Sequence, residues 1–186
     1  MTFFEEPITR ETVHTGRIVN LRSDTVRLQN GKIAGREVVE HNGGVVICAV
    51  TDSGGIIAVR QYRYPVSEEL LELPAGKLEL GEDPLECAKR ELSEETGCTA
   101  KTWVDLGKIY PSPGFCEETL YIFLATGLIQ GEAHPDEDEF LSVTTVSFVD
   151  FWELIMTNSL PDAKTIVGVT KAERYLKNLE NASTKD

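Results

Sequence analysis

The sequence lacks the features of membrane-spanning, secreted and disulfide-rich proteins. No apolar run approaches the ~20 residues that a helix needs to cross a bilayer, and the first residues, MTFFEEPITRE, have neither region of a signal peptide. The four cysteines are scattered without a C-x-x-C pair, which is typical of reduced thiols rather than a disulfide framework or a zinc site. We therefore expect a cytoplasmic protein with no membrane partner.

Basic residues are scarce as well. The chain has 18 Lys and Arg against 31 Asp and Glu, which gives a formal net charge of −13. Because contact with nucleic-acid phosphates requires basic patches, we expect no nucleic-acid partner. An acidic protein can still bind a small phosphate substrate when metal ions bridge the two.

The 186 residues suffice for a domain with a sizeable core, and the pattern of strands and helices predicts an α/β or α+β class. Asn30-Gly31 predicts a hairpin turn, and Val45–Val50 predicts a strand buried on both faces. Near the C-terminus, Asp150 is expected to cap a helix that begins with Phe151–Met156. A second helix is expected over Asp162–Leu176.

The chain is organised around the stretch GKLELGEDPLECAKRELSEETGC. Asp83 is a favourable N-cap, Pro84 suits the first helical position, and Glu86 has the spacing of a capping box. Gly97 can adopt the left-handed conformation that ends a helix. The stretch therefore predicts a helix over residues 84–96.

This helix should have an apolar face and an acidic face. The apolar positions, which should face a core, are Leu85, Ala88 and Leu92. Glu91, Glu94 and Glu95 share another face, where like charges repel by a few tenths of a kcal/mol per pair. A solvated acidic face is the ordinary interpretation, but clustered carboxylates are also what Mg²⁺ binds.

The spacing of these residues matches the Nudix box, G-x5-E-x7-R-E-U-x-E-E-x-G-U, where U is a bulky apolar residue. The matching positions are Gly76, Glu82, Arg90, Glu91, Leu92, Glu94, Glu95 and Gly97. Cys98 takes the last position, where the family has a larger apolar residue. The chain resembles Nudix hydrolases, which implies an α/β/α sandwich around a mixed sheet and hydrolysis of a nucleoside diphosphate linked to another group.

Four segments around the box resemble ADP-ribose pyrophosphatases: RQYRYP, ELPAGKLELGED, YPSPGFCEE and PDEDEF. This resemblance implies Mg²⁺-dependent hydrolysis of ADP-ribose to AMP and ribose 5-phosphate, with Mn²⁺ as a possible substitute. Two alternatives stay open. One is a Nudix enzyme acting on another nucleoside diphosphate sugar or a dinucleotide, and the other is a sensing module that binds nucleotide without turnover.

The resemblance also implies roles for individual residues. The expected metal ligands are Glu91 and Glu95, then Glu94, the carbonyl of Ala75 and, unless it pairs with Arg90, Glu82. Arg90 is expected to hold the carboxylates in place. The expected substrate contacts are Arg63, Arg60, Glu72, Gly76 and Glu117 or its neighbour Glu118. Glu137 and Glu139 both fit the catalytic base, and Glu139 is favoured because it directly precedes an apolar strand.

In this subfamily the N-terminal strands exchange between two subunits, so the resemblance implies a homodimer with shared active sites. Arg36 and Glu37 would then reach the partner's site and hold the adenine. The expected organisation is an N-terminal β-hairpin subdomain for dimerisation over residues 1–42, a hydrolase domain over 43–180 and a frayed tail over 181–186.

Overall fold

The computed structural model describes residues 3–134 and 140–183. Its elements, in chain order, are β1 (Glu6–Thr15), β2 (Asn20–Arg27), β3 (Ile33–Glu40), β4 (Gly44–Val50), β5 (Gly55–Arg63), β6 (Glu68–Glu72), β7 (Ala75–Lys77), α1 (Pro84–Thr96), β8 (Cys98–Ile109), β9 (Leu120–Gln130), β10 (Leu141–Ser147), α2 (Phe148–Met156) and α3 (Ala163–Ser183). They form two compact units. The first contains the residues up to Gly43 together with Tyr110–Thr119, and the second contains Gly44–Ile109 and the residues from Leu120 onward.

The first unit is built on an antiparallel sheet in the order β1-β2-β3. The predicted hairpin turn lies between β2 and β3, where Gly31 has a φ of 81°. Asn30 Oδ1 accepts a hydrogen bond from the backbone N–H of Lys32 at 3.1 Å, which closes the turn. All ten residues of β1 are exposed, so neither face of this edge strand is covered within the unit.

The second unit contains a mixed sheet with the order β10-β5-β4-β9-β8, to which β6 adds on β5 and β7 on β4. Strands β4 and β9 pair in parallel from Gly44 with Leu120 to Val50 with Thr126. The other pairs in this sheet are antiparallel. Every residue of β4 is buried, as the apolar run predicted, because both faces of this central strand are covered.

Alternate side chains of β4 point to opposite faces of the sheet and enter two separate cores. One core packs β4 against α2, α3 and the segment between them, and contains Val46, Cys48, Val50, Phe151, Leu160 and Val169. The other packs β4 against α1 and contains Val45, Ile47, Ala49, Cys87, Ala88 and Leu92. The second unit is therefore an α/β/α sandwich around a mixed sheet, which confirms the predicted class.

The C-terminal helices differ from prediction at their ends. Helix α2 begins at Phe148, and its N-cap is Ser147, whose Oγ accepts a hydrogen bond from the backbone N–H of Asp150 at 3.0 Å. The prediction of Asp150 as the cap was wrong. Helix α3 continues to Ser183, beyond the predicted end at Leu176. Across the described residues, no helix combines the length and apolarity needed to span a bilayer.

Candidate functional site

Helix α1, which carries the acidic face, begins and ends where the sequence predicts. Asp83 Oδ1 accepts hydrogen bonds from the backbone N–H groups of Leu85 at 2.9 Å and Glu86 at 3.2 Å. Glu86 accepts from Lys89 at 2.7 Å, so its side chain is an ion-pair partner within the helix. Gly97 ends the helix with a φ of 71°. These caps fix the register of the helix, and so fix which side chains lie on its acidic face.

Arg90 connects three carboxylates of the motif. Its Nε and Nη2 each donate to one oxygen of Glu82 at 3.1 Å. Its Nη1 donates to Glu91 Oε1 at 2.8 Å and to Glu94 Oε2 at 3.1 Å. Hydrogen bonds from Arg90, and a further one from the backbone N–H of Glu79, lower the pKa of Glu82 to about 2. Glu82 thus pairs with Arg90, which is one of the two roles considered for it. Its other role, as a metal ligand, stays a prediction.

Two further contacts join α1 to β7. The Glu91 carboxylate lies against the backbone of Gly76, where an added Cβ would be 1.8 Å from Glu91 Cδ. Only glycine fits at this position without displacing the carboxylate. Glu95 is buried, and its Oε2 accepts a hydrogen bond from the backbone N–H of Ala75 at 3.2 Å. The structure therefore brings together seven predicted site residues: Ala75, Gly76, Glu82, Arg90, Glu91, Glu94 and Glu95.

The donor chemistry of this face suits a hard divalent cation, because Glu91, Glu94 and Glu95 offer carboxylate oxygens from one helix. Within the described residues, no group of three or more His, Cys, Asp or Glu side chains is already gathered as an ion site. Instead, Arg90 lies between the carboxylates of Glu91 and Glu94. A bound ion would therefore replace hydrogen bonds that the carboxylates already accept.

A second charged cluster surrounds Glu72, which is 1% exposed. Arg63 donates from Nε to Oε1 and from Nη2 to Oε2, both at 2.8 Å, and Lys164 Nζ donates to the same Oε2. Burial raises the pKa of Glu72, but hydrogen bonds and positive charge from Arg63 and Lys164 outweigh it, and the net effect is a lowered pKa. Glu72 is therefore an ionised carboxylate inside the protein, compensated by two cations.

Sequence reasoning missed Lys164. It lies in the first turn of α3, where the helix dipole disfavours a positive charge. A lysine at the start of a predicted helix was the one available signal that this residue has a carboxylate partner elsewhere in the fold.

Arg60, another predicted substrate contact, has an ionic partner that belongs to neither cluster. Arg60 pairs with Glu69 at 3.8 Å, and both side chains are about half exposed or more. This geometry is that of a weak surface ion pair. Glu137 and Glu139, the two candidates for the catalytic base, lie outside the described residues.

The predicted contacts Arg36, Glu37 and Glu117 belong to the first unit. Arg36 donates from Nε to Glu5 Oε2 at 2.9 Å, and the hydrogen bonds to Glu5 raise its pKa. Glu37 is exposed on β3. Glu117 accepts a hydrogen bond from Arg22 Nη2 at 3.0 Å. Arg36 and Glu117 therefore already have ionic partners within this unit.

Comparison with known proteins agrees with the motif. The family model of the NUDIX domain matches residues 41–167, and that of the nucleoside diphosphate sugar hydrolase N-terminal domain matches residues 5–39. An ADP-ribose pyrophosphatase of Bacillus subtilis is 42% identical over 167 residues, which cover 89% of this chain and 90% of the relative. A methanol dehydrogenase activator of Bacillus methanolicus is 40% identical over 171 residues, 90% of this chain and 91% of the relative.

The fold also matches a solved structure described as an ADP compounds hydrolase. The TM-score is 0.84 over 96% of this chain and 98% of the other, at 23% sequence identity. The NUDIX model covers more than half of the chain and includes α1, with the whole of the motif. The chain therefore belongs to the Nudix family.

Proposed function

We propose that this protein hydrolyses the pyrophosphate bond of ADP-ribose to AMP and ribose 5-phosphate in the presence of Mg²⁺. The observation that carries the proposal is the arrangement of Glu91, Glu94 and Glu95 on α1, with Arg90 between two of them. The ADP-ribose pyrophosphatase relative, at 42% identity over 89% of this chain, supports ADP-ribose as the substrate.

Arg63 is the proposed contact to the diphosphate. Glu72 occupies its Nε and Nη2 edge, whereas Nη1 has no hydrogen-bond partner among the described residues. The side chain is 39% exposed. Because a guanidinium donates readily to phosphate oxygens, Nη1 is available for the substrate while Glu72 fixes the plane of the group.

The proposed metal ligands are Glu91, Glu94, Glu95 and the carbonyl of Ala75, and Mn²⁺ is the proposed substitute for Mg²⁺. When bound, such an ion neutralises the diphosphate charge and lowers the pKa of a bound water. Glu139 or Glu137 is proposed to accept the proton from that water.

We further propose that the protein is a cytoplasmic homodimer in which residues 1–42 form the shared subdomain and residues 43–180 the hydrolase domain. The exposed sheet of the first unit supports this, because β1 leaves Ile8 and Val13 uncovered. Arg36 and Glu37 would contact the adenine in the partner's site. In that case Arg36 has to exchange its hydrogen bonds with Glu5 for a stacking contact with the base.

The test is to mix the purified protein with ADP-ribose and Mg²⁺ and to follow the products by chromatography, with and without EDTA. EDTA-sensitive release of AMP is the expected result. If no AMP forms, a panel of nucleoside diphosphate sugars and dinucleotides at equal concentration decides between another diphosphate substrate and no turnover. Failure of the whole panel would favour a sensing module that binds nucleotide without hydrolysing it.

A further inference from the structure

The charge balance around Glu72 depends on a residue outside the Nudix motif. Glu72 Oε2 accepts hydrogen bonds from both Arg63 Nη2 and Lys164 Nζ. A buried carboxylate is costly unless opposite charges compensate it. If Arg63 were the sole partner, its positive charge would be offset by Glu72. Lys164 supplies a second cation, so that Arg63 and Lys164 together balance Glu72 and Asp162, the other carboxylate that pairs with Lys164.

Lys164 is itself held in place by its own helix. Asp162 Oδ2 accepts a hydrogen bond from Lys164 Nζ at 3.0 Å and another from the backbone N–H of Thr165 at 3.0 Å. The buried hydroxyl of Thr165 accepts from the backbone N–H of Leu73 at 2.8 Å. Leu73 directly follows Glu72. Two contacts therefore attach the first turn of α3 to the end of β6: the hydrogen bond from the Leu73 N–H to the Thr165 hydroxyl, and the ion pair of Lys164 with Glu72.

We propose that Lys164 is a positioning residue for the diphosphate site, an inference that rests on the function proposed above. By binding Glu72, Lys164 fixes the carboxylate that in turn fixes the Nε and Nη2 edge of Arg63. It also shares the negative charge of Glu72, so that Arg63 keeps its attraction for an anionic substrate. Without Lys164, Arg63 is the one cation left to balance both Glu72 and Asp162, and these three side chains carry a net negative charge.

The test compares Lys164→Met with Lys171→Met. Lys171 is a matched control because it also lies on α3 and donates a hydrogen bond, to the carbonyl oxygen of Leu106 at 2.7 Å. Lys164→Met should raise KM for ADP-ribose about tenfold, which is within the range for a residue that affects binding through another side chain, with kcat within about threefold. The Kd for ADP-ribose, measured by calorimetry in EDTA where turnover is prevented, should rise by a similar factor. Lys171→Met should leave both values within about twofold.

Two more variants separate positioning from a simple change in net charge. In the Glu72→Gln background, Lys164→Met should have no further effect on KM, because Lys164 acts through the Glu72 carboxylate. If the double variant instead returns to the wild-type KM, net charge alone explains the effect and the positioning role is wrong. Lys164→Arg, which keeps the charge and the donors, should restore KM to within about threefold of the wild type.

The outcomes also distinguish this inference from the proposed function. If Lys164→Met binds ADP-ribose like the wild type while Arg63→Met binds it more weakly, Lys164 has no positioning role and the diphosphate contact stands. If the wild type itself neither binds nor hydrolyses ADP-ribose, both proposals fail. If urea titrations show that Lys164→Met does not fold, Lys164→Gln carries the test: it removes the charge that Lys164 shares with Glu72, so KM should rise although one N–H donor is kept. An unchanged KM in that variant would then contradict the proposal.

Discussion

Replacing Glu95 by glutamine removes the charge of one proposed metal ligand while keeping its shape. Glu95 is 3% exposed, and its Oε2 accepts a hydrogen bond from the backbone N–H of Ala75. The glutamine oxygen can accept the same bond, so the free energy of unfolding should change by less than about 1 kcal/mol. In contrast, kcat should fall at least ~100-fold, which corresponds to about 2.7 kcal/mol of transition-state stabilisation.

Alanine at the same position should behave differently. Glu95→Ala removes the acceptor for the Ala75 N–H and leaves a cavity beside α1, so we expect a loss of about 1–3 kcal/mol in the free energy of unfolding. In Glu95→Ala both kcat and the free energy of unfolding should therefore fall, whereas in Glu95→Gln only kcat should fall. This separation is the evidence that the carboxylate acts through its charge rather than through packing.

The assay measures AMP release from ADP-ribose at saturating Mg²⁺, together with urea unfolding of each variant. Glu86→Gln is the control, because Glu86 lies on the same helix, is 64% exposed at its side chain and forms a surface ion pair with Lys89. Glu86→Gln should leave kcat within about twofold of the wild type, because an exposed ion pair contributes little. A near-wild-type kcat for Glu95→Gln would refute its assignment as a metal ligand.

Three other predictions follow from the structure. Gly76→Ala places a Cβ 1.8 Å from Glu91 Cδ and should lower kcat at least ~10-fold; Gly35→Ala, which meets no atom of the described residues within 4 Å, should not. Because pairing with Arg90 lowers the pKa of Glu82 from 4.5 to about 2, ionised Glu82 stabilises the fold above pH 4.5, and this contribution is lost as the pH falls through 2. Urea unfolding across this range should show a steeper acid loss for the wild type than for Glu82→Gln, and equal slopes would contradict the pairing. Light scattering should give a mass near twice the 20.6 kDa chain, and a clean monomer would refute the shared active site.

Local signals were sufficient to predict α1 to the residue. Asp83 and Gly97 fix its two ends through hydrogen bonds within a few residues of the chain, and such contacts are encoded by neighbouring residues. The placement of Arg90 beside the carboxylates was implied by the resemblance to the Nudix box, and only its contact with Glu94 has the i,i+4 spacing of neighbours on a helix face.

The cap of α2, the pairing of Lys164 with Glu72 and the strand order depended on contacts that neighbouring residues in the sequence do not specify. Ser147 and Asp150 are both favourable caps, and the choice of Ser147 follows from β10 continuing directly into α2. Lys164 and Glu72 lie 92 residues apart, so their pairing emerges only once α3 has packed beside β6. The order of the strands in the mixed sheet was likewise beyond the sequence, because it depends on pairings between distant segments.

The parallel pairing of β4 with β9 has a consequence for synthesis on the ribosome. Gly44 pairs with Leu120, so β4, every residue of which is buried, is made long before its parallel neighbour exists. During that interval the run Val45–Val50 has no complete sheet to enter, and an exposed apolar strand is prone to aggregation. The antiparallel sheet β1-β2-β3 needs only adjacent segments and can form early. Folding of the second unit must therefore wait for the ribosome to release β9, and one face of β4 stays uncovered until α2 and α3, which follow β9, have also been released.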